Sequence, residues 1–100
     1  MKLAQLAHAR SGDKGDVSNI AVMVYDQADY PRLEALLTPE RVKAHFAELV
    51  KGEVVRYALP HLGALNFVMQ QALGGGVTRS LALDMHGKSL SSALLAMDID

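Results

Sequence analysis

The sequence predicts an α+β protein: a two-layer sandwich in which a sheet of about four strands carries helices on one face. Two observations support this class. Segments rich in Val, Ile, Leu and Tyr have the lengths and the period-two patterns typical of strands. Between and after them, apolar residues recur at helical spacing behind residues that cap helices. Because one hundred residues is the length of one domain, we expect a single domain over residues 1–100.

The first predicted strands are Lys2–Arg10 and Asn19–Tyr25, on either side of a polar segment. The first is rich in alanine and alternates poorly, so it is a modest strand former. The second is apolar on both faces, which indicates that both faces are covered, or that a second subunit covers one of them. The polar segment Ser11–Asp16 is predicted to be the connecting loop, because Gly12 and Gly15 adopt positive φ at little energetic cost.

Two short helices are predicted to follow. Asp29–Leu37 begins with a capping residue and carries its apolar residues on one stripe. Thr38 is expected to cap a second helix, with Pro39 at its first position and Gly52 at its end.

The second half of the chain alternates between the two kinds of segment. We predict, in order, a strand Glu53–Leu59, a helix from about Asn66 within His61–Leu73, a strand Val77–Leu83, a turn Asp84–Lys88 and a last helix capped by Ser89. Leu65–Met69 alone would also fit a strand, so the choice between helix and strand stays open for Leu65–Leu73.

A two-layer sandwich leaves one face of its sheet without helices. We expect Arg10, Arg56 and Arg79 to lie on that face together with apolar residues, which would make it an oligomer interface. Half of all residues are hydrophobic, which is more than a small monomer easily buries. The sequence therefore predicts a homo-oligomer or a docked partner subunit.

Charge and composition exclude several classes of protein. The net charge of −1 and the absence of a basic run argue against a nucleic-acid partner. No apolar run approaches the roughly 18 residues of a membrane span, and the charged N-terminus is unlike a signal peptide. With no cysteine, the chain has no disulfide, no thiol nucleophile and no cysteine–zinc site. We expect a cytoplasmic protein, and no particular cofactor is indicated.

The polar segment is the predicted binding site. Arg10, Lys14 and the N–H groups of Gly12 and Gly15 are suited to holding a carboxylate or a phosphate. Alternatively, Arg10 pairs with an aspartate of the segment and pins the loop. The predicted ligand-binding residues are Arg10, Ser11, Gly12, Asp13, Lys14, Gly15, Asp16, Asn19 and Asn66.

A metal site is a weaker hypothesis for the same segment. Asp13, Asp16 and Asn19 supply oxygen atoms at three-residue spacing, and Ca²⁺ and Mg²⁺ prefer such ligands. The spacing is not that of an EF-hand, however, and Lys14 would lie among the ligands. The alternative is ordinary turn chemistry, in which the aspartates bind their own backbone.

The sequence contains candidate catalytic residues, but they match no recognised catalytic set. Whether the protein is an enzyme therefore stays open. His8 is the best general base, because its unperturbed pKa is near neutral; Asp16 could orient it. Ser11 or Ser18 could then act as a nucleophile, although neither has the spacing of a nucleophile elbow. Asn66, an amide in an apolar run, is expected either to bind the polar segment or to cap a helix.

Several of these motifs occur together in one known family. The run His8-Ala9-Arg10-Ser11-Gly12-Asp13-Lys14-Gly15-Asp16, followed by Ser18-Asn19-Ile20, resembles the small ferredoxin-like domain of AtuA-like (acyclic terpene utilisation) proteins. The resemblance continues nearly end to end, through Arg56-Tyr57, Leu59-Pro60, Ala64-Leu65-Asn66-Phe67-Val68, Leu73-Gly74-Gly75-Gly76, Asp84 and Gly87-Lys88.

The resemblance implies a ferredoxin-like fold, a stand-alone form of this domain and a bacterial setting. It also implies a larger AtuA-like partner and a role near the catabolism of branched acyl compounds, with an acyl-CoA or carboxylate ligand. It supplies no catalytic residue. Three hypotheses follow: an accessory or interaction subunit; a small oligomeric lyase, hydratase or isomerase using His8 and Asp16; or a metal- or anion-binding module.

Overall fold

The protein is built on an antiparallel sheet of four strands. The computed structural model describes residues 1–14, 17–47, 50, 52–70 and 88–99. The strands form two hairpins that join through their second members, so the order across the sheet is β1-β2-β4-β3. Their bounds are β1 Ala7–Lys14, β2 Val17–Val24, β3 Val54–Leu59 and β4 Ala64–Gln70.

Helices pack against one face of this sheet, with α3 on β1 and α2 beside β3. Ile20, Phe67 and Leu65 point toward the helices and are completely buried. Alternation along each strand places the other side chains on the opposite face. The predicted α+β two-layer class is therefore confirmed. The helices are α1 Tyr30–Leu36, α2 Pro39–His45 and α3 Lys88–Leu95, with 3-10 turns at Leu3–Gln5, Gln27–Asp29 and Pro60–Leu62.

The predicted loop Ser11–Asp16 is wrong over the part that the structure describes. The backbone of Ser11–Lys14 continues β1 and pairs with β2, from Ser11 opposite Ile20 to Lys14 opposite Val17. Serine and glycine are poor strand formers, but pairing with a strongly strand-forming partner satisfies their backbone hydrogen bonds.

The start of the first predicted strand is also wrong. Residues Leu3–Gln5 form a 3-10 turn, and β1 begins only at Ala7. Leu3 and Leu6 are both buried, and a spacing of three residues matches a helical turn rather than strand alternation.

The helix predicted from about Asn66 is a strand. In β4, Leu65, Phe67 and Met69 are buried, while Asn66 and Val68 between them are half-buried, which is a period of two. The run is short enough for either structure, and pairing with β2 on one side and β3 on the other decides it.

The remaining predictions agree in part. Glu53–Leu59 corresponds to β3, and Thr38 caps α2 through its Oγ1, which accepts from the Arg41 amide at 3.2 Å. However, α2 ends at His45 rather than continuing to Gly52. The last helix begins at Lys88, so that Ser89 lies inside it rather than preceding it. The predicted strand at 77–83 and most of the turn at 84–88 lie outside the described residues.

None of the helices in the described part of the chain combines the length and the apolarity that a membrane span requires.

Candidate functional site

The face of the sheet opposite the helices is the candidate site, and we call it the open face. Antiparallel pairing arranges its side chains in rows that cross all four strands in the order β1, β2, β4, β3. The central row is Arg10, Ala21, Asn66 and Tyr57; the row on one side is His8, Met23, Ala64 and Leu59; the row on the other is Gly12, Asn19, Val68 and Val55.

Large apolar side chains are exposed on and beside this face. Tyr57 is 54% exposed and Leu59 is 41% exposed, at the β3 edge. Tyr25 directly follows β2, is 66% exposed and lies with its ring 5.3 Å from the ring of His8. Leu62, in the turn between β3 and β4, is 65% exposed. Exposed aromatic and aliphatic groups concentrated in one region are typical of a binding surface.

Two carboxamides lie at the centre of the open face, on the two inner strands. The Asn19 Nδ2 atom donates a hydrogen bond to Asn66 Oδ1 at 3.3 Å, and both side chains are half-buried. Gly12 lies opposite Asn19 in the register, and a Cβ atom there would lie 3.3 Å from Asn19 Oδ1. The structure thus brings together three of the predicted ligand-binding residues, although not around a loop. Asn66 lies inside β4 rather than at the end of a helix, and its contact with the polar segment stays a prediction, because the structure describes that segment only in part.

The positive charge of the open face lies at the β1 edge. His8 and Arg10 are exposed there, as predicted for Arg10. Arg56 was expected on the same face and is instead on the helix side. Its Nη1 donates to the carbonyl oxygens of Glu34 at 2.8 Å and Leu37 at 2.9 Å. Alternation along β3 places Arg56 beside Val54 rather than beside Tyr57, and Arg79 lies outside the described residues.

The serines do not lie with His8. Ser18 is completely buried on the helix side, where its Oγ donates to the Gly12 carbonyl at 3.0 Å. Ser11 shares that side of β1, whereas His8 is on the open face. Strand alternation therefore contradicts a His8–serine catalytic pair. The pairing of His8 with Asp16 stays a prediction, because Asp16 lies outside the described residues.

The predicted anion and metal sites are described only in part. Asp13 and Lys14 have strand backbone in β1, and Gly15 and Asp16 lie outside the described residues. Within the part of the chain that the structure describes, no three His, Asp or Glu side chains are grouped closely enough to hold a metal ion. Both sites stay predictions.

Sequence reasoning missed most of the open face. Met23, Val68 and Tyr57 belong to it only because β2, β3 and β4 lie side by side. Tyr57 could have been found from its alternation with Arg56 along the predicted strand. Val68 could have been found from its alternation with Phe67, but predicting a helix for that segment obscured this pattern.

Fold and site together define a small α+β protein whose sheet is covered by helices on one side and exposes Tyr and Leu side chains on the other. The family described as the AtuA ferredoxin-like domain matches residues 1–100. The chain belongs to this family, and the resemblance noted in its motifs is confirmed. No curated protein and no solved structure matches the chain.

Proposed function

We propose that the protein is a non-catalytic accessory subunit that acts through its open face. Its partner would be a larger AtuA-like protein, a second copy of itself, or both. The setting is the bacterial cytoplasm and the catabolism of branched acyl compounds. The bound ligand would be an acyl-CoA or a carboxylate held near Arg10. Family membership supports the setting, and the open face supports the mode of action.

The observation that carries the proposal is the chemistry of the open face. Tyr57 and Leu59 are exposed at its β3 edge beside the half-buried Val55 and Val68, and His8 and Arg10 are exposed at its β1 edge. Tyr and Arg dominate the energetics of protein interfaces, because they bury a large area and still form polar contacts. A flat face of this kind suits the binding of a protein partner better than it suits catalysis, which usually takes place in an enclosed pocket.

Co-purification tests this function. The chain, carrying an affinity tag, is expressed with a larger AtuA-like protein from the same genome, and the two should elute together. Tyr57→Arg should weaken the complex by about tenfold or more, because a central interface tyrosine contributes roughly 2 kcal/mol. Ala35→Arg adds the same side chain to an exposed position of α1, on the helix side, and should leave the complex intact. Failure of the wild-type proteins to elute together would remove the larger AtuA-like protein from the proposed function.

One observation favours the enzymatic alternative, a lyase, hydratase or isomerase. His8 is exposed beside the Tyr25 ring and is therefore accessible to a small substrate at the edge of the open face. In this alternative Asp16 orients the His8 imidazole. If His8→Ala stays folded and turnover of a CoA thioester is unchanged, the alternative is excluded.

A further inference from the structure

We infer that the open face binds the open face of a second copy of this chain, about a two-fold axis that runs parallel to the strands between β2 and β4. The inference deepens the proposed accessory function and rests on its claim that the open face is a binding surface. Such an axis exchanges the two inner strands and the two outer strands, and it keeps every residue in its own row. Residues of β1 therefore lie over the partner's β3, and residues of β2 over the partner's β4.

Side-chain sizes along the rows fit this arrangement. Met23, the longest side chain of β2 on this face, lies over the partner's Ala64, one of the smallest. Ala21 lies over the partner's Asn66, and Gly12 lies over the partner's Val55. In these three pairs the larger group faces the smaller one, which favours close packing between two sheets.

The charges select the direction of the axis. With the axis parallel to the strands, the Arg10 guanidinium lies over the partner's Tyr57 ring, a cation–π contact, and His8 lies over the partner's Leu59. An axis perpendicular to the strands through the central row would instead place Arg10 over the partner's Arg10. Because like charges repel, the parallel axis is favoured.

The two amides account for the polar groups at the centre. Asn19 and Asn66 are on the inner strands next to the axis, where Asn19 lies over the partner's Val68 and Asn66 over the partner's Ala21. Neither amide faces an apolar side chain without a partner, because Asn19 Nδ2 donates to Asn66 Oδ1 within each copy. A buried amide keeps its hydrogen bonds in this way, and it also discriminates against shifted registers.

The size of the face sets the expected affinity. Four strands about 4.8 Å apart and about 20 Å long give roughly 400–500 Å² per copy. A total near 1,000 Å² is at the low end for specific interfaces, so the dimer should dissociate in the micromolar range.

Sedimentation velocity from about 1 µM to about 500 µM tests the dimer, because this range brackets the expected dissociation constant. Tyr57→Arg should weaken association at least about tenfold, since it places a second cation over Arg10. Arg10→Glu should weaken it as well, because an acid then faces the negative face of the Tyr57 ring. The two substitutions combined should restore association, because opposite charges then face each other across the axis. Lys43→Glu, on the exposed side of α2, is the matched control and should change nothing.

A second measurement needs no variant. Within one copy, the backbones of Arg10 and Tyr57 are three strand spacings apart, about 14 Å. In an equal mixture of isotope-labelled and unlabelled wild-type protein, a filtered nuclear Overhauser effect between Arg10 and the Tyr57 ring arises only between two copies, and we expect to observe it.

The inference is overturned if the wild type stays monomeric throughout, or if the double variant associates as weakly as the single variants. A monomer that still co-purifies with the larger AtuA-like protein refutes the dimer and leaves the proposed function standing. A dimer that responds to the charge exchange but captures no larger AtuA-like protein supports the inference and removes that partner from the proposed function.

Discussion

At the scale of single residues, the phenol of Tyr30 is the clearest physical anomaly. The side chain is 7% exposed, and its hydroxyl has no hydrogen-bond partner in the described part of the structure. Burial raises the pKa of Tyr30 above its ordinary value of 10.0; the charge of Glu34 raises it further, and Arg56 opposes the shift. A buried hydroxyl without a partner destabilises the fold, and it does so far more once it is ionised.

The first prediction concerns this hydroxyl. Tyr30→Phe should leave the free energy of unfolding unchanged or raise it by up to about 1 kcal/mol at neutral pH, since it removes only an unsatisfied group. The folded protein holds the phenolic proton of Tyr30 more tightly than the unfolded chain does. The stability that this tighter proton binding contributes is present below pH 10 and is lost as the pH rises through the folded pKa. Urea denaturation at about pH 8 and about pH 11 should show a larger loss for the wild type than for Tyr30→Phe.

The control for this prediction is Tyr30→Ala, which empties the same buried site. It should destabilise the protein by about 3 kcal/mol at about pH 8, because it leaves a cavity, and by less at about pH 11, where the wild type has itself lost stability through Tyr30. If Tyr30→Phe were as damaging as Tyr30→Ala, the hydroxyl would have an unrecognised partner.

At the scale of elements, the β3–β4 hairpin depends on one glycine. Gly63 has φ 61°, in the left-handed region that disfavours residues with a Cβ atom. An added Cβ would lie 2.5 Å from Gln27 Oε1 and 2.9 Å from Val24 Cγ2. The Gln27 Nε2 atom donates to the Pro60 carbonyl at 2.7 Å, so its displacement would break a second contact of the same turn.

The second prediction is that Gly63→Ala destabilises the protein by more than about 1–2 kcal/mol, the energy of the left-handed backbone alone. Thermal unfolding followed by circular dichroism measures it. Ala58→Gly, at an exposed position of the same hairpin, should cost no more than about 1 kcal/mol. Equal effects of the two substitutions would show that the turn does not require a glycine.

Contacts with the end of α1 explain why the Arg56 side chain lies on the helix side of the sheet. Its guanidinium binds two carbonyl groups at the C-terminal end of α1 and so ties that helix to β3. A cation at the end of a helix also interacts favourably with the helix dipole. Arg56 therefore joins α1 to β3 on the helix side, whereas Arg10 lies on the open face.

At the scale of the whole molecule, Arg41 joins segments that are distant in sequence. Its Nη1 donates to the Leu36 carbonyl at 3.0 Å and to the Ile99 carbonyl at 3.4 Å, while its Nη2 donates to the Asp98 carbonyl at 3.0 Å. The Ile99 amide in turn donates to the Met1 carbonyl at 3.0 Å. One side chain therefore holds both terminal segments against the helical layer.

The third prediction is that Arg41→Ala lowers the free energy of unfolding by about 2 kcal/mol, because it removes charge-assisted hydrogen bonds and leaves carbonyls without donors. Hydrogen exchange should locate the effect, with the Ile99 amide exchanging faster while the inner strands stay protected. Lys43→Ala, an exposed position on the same helix, should affect neither quantity. Unchanged exchange at Ile99 would show that Arg41 does not hold the terminal segments.

The order of amino acids was enough to predict the α+β class, the strands β2 and β3, the start of α2 at the Thr38 cap, and the family. Each rests on a local signal: an unbroken strand-forming run, a capping hydroxyl, or a motif of adjacent residues. The placement of Arg10 on the face without helices was also predicted.

Three features depend on long-range contacts: β4 is a strand, β1 continues through Ser11–Lys14, and Arg56 faces the helices. In each case local preference was weak, and the decisive hydrogen bonds come from strands elsewhere in the chain. The same holds for Asn19 and Asn66, which are 47 residues apart. Their contact exists only because β2 and β4 lie side by side, and no spacing along the chain encodes that pairing.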